Sequence, residues 1–362
     1  MKIIQLIYSL ASGGAERFAV SLSNQLAEMG HEVTLCMLLS TTDIKNTFNA
    51  QYLKSSVKLY SFEFDRGFSY RKSNIVERFI SEKAPDVVHC HLNVIPYIFR
   101  LSIRTRSIRF IHTLHSLAEN SSGKWWQRWI NYCFYRSALI QPVVISEQCR
   151  QSYVKFYALD NAVCIENGCE APQHTPLFPS VQNEVNSYKA RKDEKVFIHV
   201  ARYHELKNQI LLIDSFNQLA NEGVNFTLLV LGEGFDRGDG SHIRNKACTK
   251  IHFLGLKSNV ADYLLCSDAF CLTSNYEGLP ISLLEAISCG LTPICTNVGG
   301  VPDVVRDEVY GYLSESSVES YVSAIYKFLS REIDKKILQQ YFRHNYSIAS
   351  CADKYVNLYI KR

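Results

Sequence analysis

The chain has 362 residues, 47% hydrophobic and 20% charged, with 17 glycines and 9 prolines. That composition excludes a disordered or collagen-like chain, and the length leaves room for two domains with separate cores. The net charge of +4 is uneven: residues 1–170 carry 19 Lys and Arg against 14 Asp and Glu, residues 171–362 carry 20 against 21, so the first half suits anionic partners such as phosphates or anionic lipid.

Lys2–Leu10 reads as a buried strand. Gln5 interrupts its apolar run and Gly13-Gly14-Ala15-Glu16-Arg17 follows directly, which argues against a secretion signal. Ala15–Met29 has helical periodicity through Phe18, Leu22 and Leu26 and stops at Gly30, and Glu32–Leu39 is a second strand. Strand, glycine turn, helix, strand is the opening of a parallel doubly wound sheet. Asp86–His91, Arg109–Thr113, Leu139–Ser146 and Val163–Glu166 read as further buried strands. Ala171–Ser180 holds three prolines in ten residues and reads as a linker. A second α/β pattern follows: strands at Lys195–Ala201, Phe226–Leu231, Ile251–Leu254, Ala269–Thr273 and Thr292–Thr296, with helices at Gln209–Leu219, Ile281–Cys289 and Ile348–Ile360. Two similar α/β halves invite a cleft between them. No apolar run reaches the roughly 18 residues of a membrane span. The 12 cysteines form no Cys-x-x-Cys pair and read as reduced, buried thiols of a cytoplasmic protein.

Several constellations carry chemistry. In Glu277-Gly-Leu-Pro-Ile-Ser-Leu-Leu-Glu285, Glu277 follows a strand at its carboxyl end, and Pro280 suits the first turn of a helix whose free N–H groups attract an anion. Glu285 has apolar neighbours, an expensive setting for a lone charge. Arg202 and Lys207 follow another strand end and suit a diphosphate. Gly232-Glu233-Gly234 permits close backbone approach, but Gly238 comes one residue too late for a dinucleotide fingerprint. Ser12-Gly13-Gly14-Ala15-Glu16 can cradle phosphate or sugar and lacks the ending of a P-loop. His89, His91, His112 and His115 lie at or after strand ends. Their spacing does not favour a metal, and a neutral imidazole can bond sugar hydroxyls. The segment Lys124–Arg136 gathers all three tryptophans with Lys124, Arg128 and Arg136. As a helix it suits either a membrane surface or a packed core. No RNA-binding signature accompanies it, so nucleic acid is not expected.

Taken in order, Gly13-Gly14-Ala15-Glu16, Asn167-Gly168, Arg202 with Lys207, Gly232-Glu233-Gly234, Phe253-Leu254-Gly255, the two glutamates eight apart and Gly299-Gly300-Val301-Pro302-Asp303 resemble retaining glycosyltransferases of family 4, of the capsule, O-antigen and exopolysaccharide type. The resemblance spans nearly the whole chain. It implies the GT-B fold: two Rossmann-like domains facing a central cleft. An acceptor-binding domain over 1–172 would be completed by a C-terminal helix at about 345–362. A nucleotide-sugar-binding domain would occupy 173–344. It also implies roles. Arg202 and Lys207 would hold the donor diphosphate, Glu277 the transferred sugar and Glu285 the ribose. Backbone over Leu279, Pro280, Ile281, Ser282 and Leu283 would bind sugar and phosphate. Gly13 and Gly14 would cover the diphosphate, His115 would stand near the sugar, and Phe253 and Leu254 would face the base, with Gly232, Glu233 and Gly234 beside the donor. Asp303 stands where the family usually has Glu, and Leu279 and Ile281 replace a common Phe-Gly arrangement.

The expected reaction is metal-independent transfer, without cofactor, from a nucleotide-diphosphate sugar, with uridine diphosphate preferred. The expected acceptor is a glycan or a polyprenyl-diphosphate-linked oligosaccharide in cell-surface polysaccharide synthesis. The expected location is cytoplasmic, peripheral at the inner face of the membrane. A nucleotide-sugar epimerase and a non-catalytic nucleotide-sugar-binding scaffold are the alternatives, and the incomplete glycine fingerprint speaks against a nicotinamide oxidoreductase.

Overall fold

The computed structural model describes residues 1–121 and 125–361. It divides the chain into two compact units, Met1–Cys169 with Tyr346–Arg362 and Glu170–Asn345.

The first unit holds a seven-stranded sheet: β1 (Lys2–Ile7), β2 (Glu32–Leu39), β3 (Lys58–Phe64), β4 (Val87–His91), β5 (Arg109–Leu114), β6 (Gln141–Val144) and β7 (Val163–Cys164). The order across the sheet is β3-β2-β1-β4-β5-β6-β7, every pair parallel. The central strands are buried on both faces because helices cover both sides, which is why they read as continuous apolar runs. Strand β3, unassigned in the sequence reading, lies at one edge and is largely exposed. Strand β7 is the other edge. The expectation of a buried strand over Val163–Glu166 is therefore corrected: two residues pair, and both are exposed. Cys164 is exposed with it, and Cys133, Cys248 and Cys266 are half-buried, so uniform burial of the thiols does not hold.

The second unit repeats the plan with β8 (Lys195–Val200), β9 (Phe226–Leu231), β10 (Ile251–Gly255), β11 (Ala269–Leu272), β12 (Thr292–Thr296) and β13 (Tyr312–Ser314). Its order is β10-β9-β8-β11-β12-β13, again all parallel. Phe197, Phe216, Phe226 and Phe328 form the centre of its core, with rings 5.0–6.5 Å apart. The linker expected over 171–180 is tied down: the backbone N–H and hydroxyl of Thr175 donate to the two carboxylate oxygens of buried Asp262 at 2.7 and 2.6 Å, and a helix starts at Phe178.

The last helix, Ile348–Ile360, packs in the first unit against the helix Gly14–Glu28. The Ser347 hydroxyl caps it by accepting from the Ser350 N–H. Cys169 bridges to Ser347, giving its N–H to Tyr346 O and accepting from Ile348 N–H. The outgoing and returning segments thus lie side by side in that unit. Gly168 stands against them: a Cβ there would lie 2.7 Å from both Cys351 Cβ and Ser347 O. Gly168→Val is expected to cost about 1–3 kcal/mol through overpacking. A chemical-denaturation midpoint equal to wild type would contradict this packing.

Candidate active site

The loop leaving β8 carries both expected cations. Arg202 is exposed. Lys207 ends a short 3-10 turn, Glu205–Lys207, and Asn208 (φ +47°) starts the helix Gln209–Asn221. The loop leaving β11 is stitched to it: Asn275 N–H donates to Leu206 O at 2.8 Å, and the Thr273 hydroxyl donates to Lys207 O at 3.1 Å. Lys207 Nζ then reaches Glu277 Oε1 at 2.6 Å, and Ser274 Oγ donates to the same oxygen at 2.5 Å. Glu277 is only 8% exposed. A carboxylate so buried needs such partners, and stripping one away leaves an uncompensated charge.

Glycines let these loops close on one another. Gly299 has φ +61°, and a Cβ there would sit 1.8 Å from Glu277 O, so the Gly299-Gly300 turn lies directly on the Glu277 backbone. Gly300 N–H bonds Gly278 O at 2.9 Å. Gly232 (φ +144°) approaches the Arg202 loop as closely: a Cβ would meet Ala201 O at 2.0 Å. Gly232-Glu233-Gly234 therefore seats the loop that bears Arg202, with Tyr203 N–H on Glu233 O at 2.8 Å.

Pro280 precedes the helix Ile281–Ser288, whose first N–H groups have no intrahelical acceptor. Leu279, Ile281 and Leu283 turn their side chains into the core, which leaves only backbone for a ligand, and Ser282 is half-buried. Glu285 shares the more accessible stripe with Ser282 and Ser288, while Leu283, Leu284, Ala286 and Ile287 face inward. This corrects the expectation of an apolar setting for its carboxylate. Phe253 and Leu254 are half-buried on the edge strand β10, two strands from β8. The Phe253 ring packs 5.1 Å from Phe235, with the Arg244 guanidinium 5.8 Å away.

In the first unit, Gly13 caps the helix Gly14–Glu28, and Phe18 on that helix lies edge-on to His115 at 5.5 Å and His91 at 6.1 Å. His115 stands one residue beyond β5. Its Nε2 is 3.0 Å from His91 Nδ1, and its own Nδ1 is buried with no hydrogen-bond partner among the described residues. His89, His91 and His112 are fully buried and bonded on both ring nitrogens. Burial holds His89 and His91 well below the usual imidazole range and pushes His112 down to about 4 and His115 to about 3. No three or more His, Cys, Asp or Glu side chains are placed to hold a metal ion among the described residues. Gln5, Ser274, Tyr355 and Tyr359 were missed in the sequence. For Gln5 a signal existed: it is a polar residue inside a strand otherwise apolar on both faces.

Comparison with known proteins decides the family. Residues 12–171 match Glycosyltransferase Family 4, and residues 180–345 match the glycosyl transferases group 1. The chain belongs to the family 4 glycosyltransferases. An N-acetyl-alpha-D-glucosaminyl L-malate synthase of Bacillus anthracis is 33% identical to this glycosyltransferase over 134 residues, 35% of the chain and 34% of that protein. A UDP-Gal:alpha-D-GlcNAc-diphosphoundecaprenol alpha-1,3-galactosyltransferase of Escherichia coli is 23% identical over 293 residues, 77% of the chain and 73% of that protein. Among solved structures, a glycosyltransferase of Rickettsia africae superposes with TM-score 0.79 at 18% identity, covering 99% of this chain and 97% of that one. Anabaena HepE in complex with UDP gives 0.79 at 16% identity, covering 99% of both chains. These establish the GT-B fold of this enzyme.

The buried histidines make the stability of the glycosyltransferase pH-dependent. His89, His91 and His112 stay neutral in the folded state, whereas unfolded histidine takes a proton below about 6.5. Stability from this source is complete above that pH and is lost as pH falls below it, by about 1.4 kcal/mol per pH unit per histidine. The thermal midpoint is expected to drop from pH 7 to pH 5; a level profile would show that these imidazoles are not held neutral.

Proposed function

We propose that this enzyme is a retaining glycosyltransferase that takes a sugar from a nucleotide-diphosphate sugar, with UDP as the leaving group, and passes it to a glycan or polyprenyl-diphosphate-linked acceptor. The observation that carries the donor assignment is the convergence of Arg202, Lys207, Glu277 and the N-terminus of the helix Ile281–Ser288 at the carboxyl ends of β8 and β11. These adjacent strands mark the point where the strand order reverses, which is where open α/β sheets bind ligands.

Breakage of the C1–oxygen bond moves the electron pair onto the diphosphate. Arg202, Lys207 and the helix N-terminus are preorganised charges for it, so the chain's own cations supply the stabilisation in this reading. The acceptor oxygen bonds C1 on the face the leaving group vacates, and its proton goes to a departing phosphate oxygen. A double displacement needs a carboxylate free to attack. Glu277 Oε1 already accepts from both Lys207 and Ser274, which favours same-face attack with Glu277 as a sugar and lysine anchor. Glu285, on the accessible stripe of its helix, is assigned to the ribose, and His115 to a sugar hydroxyl.

The acceptor's lipid anchor is supported by an exposed aromatic patch. Trp125 is 82% exposed, Trp129 66% and Tyr70 67%. Trp126 lies 5.8 Å from Phe68, and Phe68 lies 5.5 Å from Tyr70, which joins the helix Trp125–Arg136 to the start of the helix Tyr70–Lys83. Arg66, Arg71 and Arg104 are exposed, and Lys124 lies outside the described residues. Aromatics beside arginines suit the interface of an anionic bilayer. No helix among the described residues is long and apolar enough to cross a membrane.

UDP is expected to raise the thermal midpoint without added divalent metal, by mass action on the folded state. Lys207→Ala is expected to reduce that shift and to lower kcat by on the order of 10²–10³, the cost of removing one preorganised charge. Absence of a shift with any nucleoside diphosphate would overturn the donor site. For the membrane arm, flotation with phosphatidylglycerol vesicles at low salt is expected to carry wild type upward and to leave Trp125→Ser/Trp129→Ser behind. Equal flotation of both would remove the patch from the proposal.

A further inference from the structure

A continuous line of buried side chains runs from the last helix to His115. Gln5 on β1, His89 and His91 on β4 and Thr113 on β5 share one face of the sheet, since Gln5 pairs with His89 and His91 with Thr113 in register. All four have 0% exposure. The helix Ile348–Ile360 brings Tyr355 and Tyr359 onto them. Gln5 Nε2 lies 3.3 Å from the Tyr359 hydroxyl, and Gln5 Oε1 lies 2.7 Å from His91 Nε2. His91 Nδ1 lies 3.0 Å from His115 Nε2. A branch continues from the Tyr359 hydroxyl to His89 Nδ1 at 2.8 Å, from His89 Nε2 to the Thr113 hydroxyl at 2.8 Å, and from there to Tyr355 at 2.9 Å.

Counting protons fixes the direction of this line. A hydroxyl has one proton and a neutral imidazole has one N–H. If Tyr359 gives its proton to His89 Nδ1, it can only accept from the Gln5 amide. The Gln5 carbonyl must then accept from His91 Nε2–H. His91 Nδ1 is left as an acceptor and takes the N–H of His115 Nε2. His115 Nδ1 is left with a bare lone pair. The reverse direction satisfies every link except the last, where a buried N–H of His115 would find no acceptor. Orphaned buried N–H groups are rarer than under-satisfied acceptors. The Gln5 amide is the element that distinguishes the two directions, because flipping it inverts every group between it and His115.

We propose that Tyr359, Gln5 and His91 are positioning residues that lock His115 as its Nε2–H tautomer, reserving Nδ1 as a hydrogen-bond acceptor for a hydroxyl of the sugar substrate. The ligand assignment rests on the glycosyl-transfer reading above, whereas the tautomer does not depend on it. The last helix thereby sets the chemistry of a residue nearly 250 positions earlier in the chain, through two intermediates and no contact of its own with substrate.

The test is long-range 1H–15N correlation spectroscopy on full-length enzyme labelled at histidine, with the His115 signals assigned by their loss in His115→Gln. Wild type is expected to show pyridine-type Nδ1 and pyrrole-type Nε2 for His115. A pyrrole-type Nδ1 would overturn the relay, whatever the variants do. Tyr359→Phe, which keeps the ring, is expected to mix the two tautomers and to lower kcat by about tenfold, roughly one misdirected hydrogen bond, with the UDP-induced thermal shift unchanged. Gln5→Leu is expected to do the same, with Gln5→Glu restoring a pyridine-type Nδ1 because a carboxylate also accepts from His91. An unchanged tautomer in a folded Tyr359→Phe and Gln5→Leu would remove the positioning role. If the tautomer is as stated but neither nucleotide sugar nor UDP with free sugar shifts the His115 Nδ1 resonance, the relay is upheld and the sugar-hydroxyl assignment of His115 is overturned.

Discussion

A parallel strand cannot be followed by a hairpin; the chain must cross back over the sheet, usually through a helix, before it adds the next strand. Each crossover brings the carboxyl end of a strand and the start of the following helix to the same edge of the sheet. In this glycosyltransferase both sheets obey that constraint throughout, and both reverse their strand order once near the middle, at β1–β4 and at β8–β11. The candidate site residues gather at those two places. Gly13, Gly14 and His91 sit beside the first, with His115 at the end of the neighbouring β5, and Arg202, Lys207 and Glu277 sit beside the second.

The Lys207–Glu277 cluster is held by backbone as much as by side chains. Lys207 meets Glu277 because the loops after β8 and β11 exchange hydrogen bonds, and because Gly232 and Gly299 allow neighbouring backbone where a Cβ would collide. Two of the glycine pairs that mark the family thus have a role in this fold that precedes any ligand: they set the position of the charges. The Glu277 carboxylate, nearly enclosed, is balanced by one lysine and one serine.

The first unit solves a different problem. Gln5, His89, His91 and Thr113 interrupt strands that are otherwise apolar, and an unpaired polar group at that depth costs about 1–3 kcal/mol. The tyrosines of the last helix supply partners to Gln5, His89 and Thr113, and Gln5 and His115 supply those of His91, so the helix adds polar satisfaction as well as apolar cover. Among the four strand-end histidines, three are closed off by bonds at both nitrogens, and His115 alone has a nitrogen unpaired among the described residues.

Local sequence carried most of the architecture. Apolar runs bounded by glycine turns marked the central strands, and Phe226–Leu231, Thr292–Thr296 and Ile348–Ile360 lie where periodicity places them. The order of short glycine, cation and carboxylate signals points to the family without any tertiary contact. Edge strands were the weak point: β3 and β7 are exposed, so the apolar run that betrays a buried strand is absent or misleading there. What only tertiary structure decided are the pairings: Lys207 with Glu277, 70 positions apart; the face on which Glu285 stands; and the line from Tyr359 through Gln5 and His91 to His115. The physical reason is range. Helix and strand periodicity is set by residues within a few positions of one another, whereas a hydrogen bond between neighbouring strands depends on strand order and register, which only the assembled sheet determines.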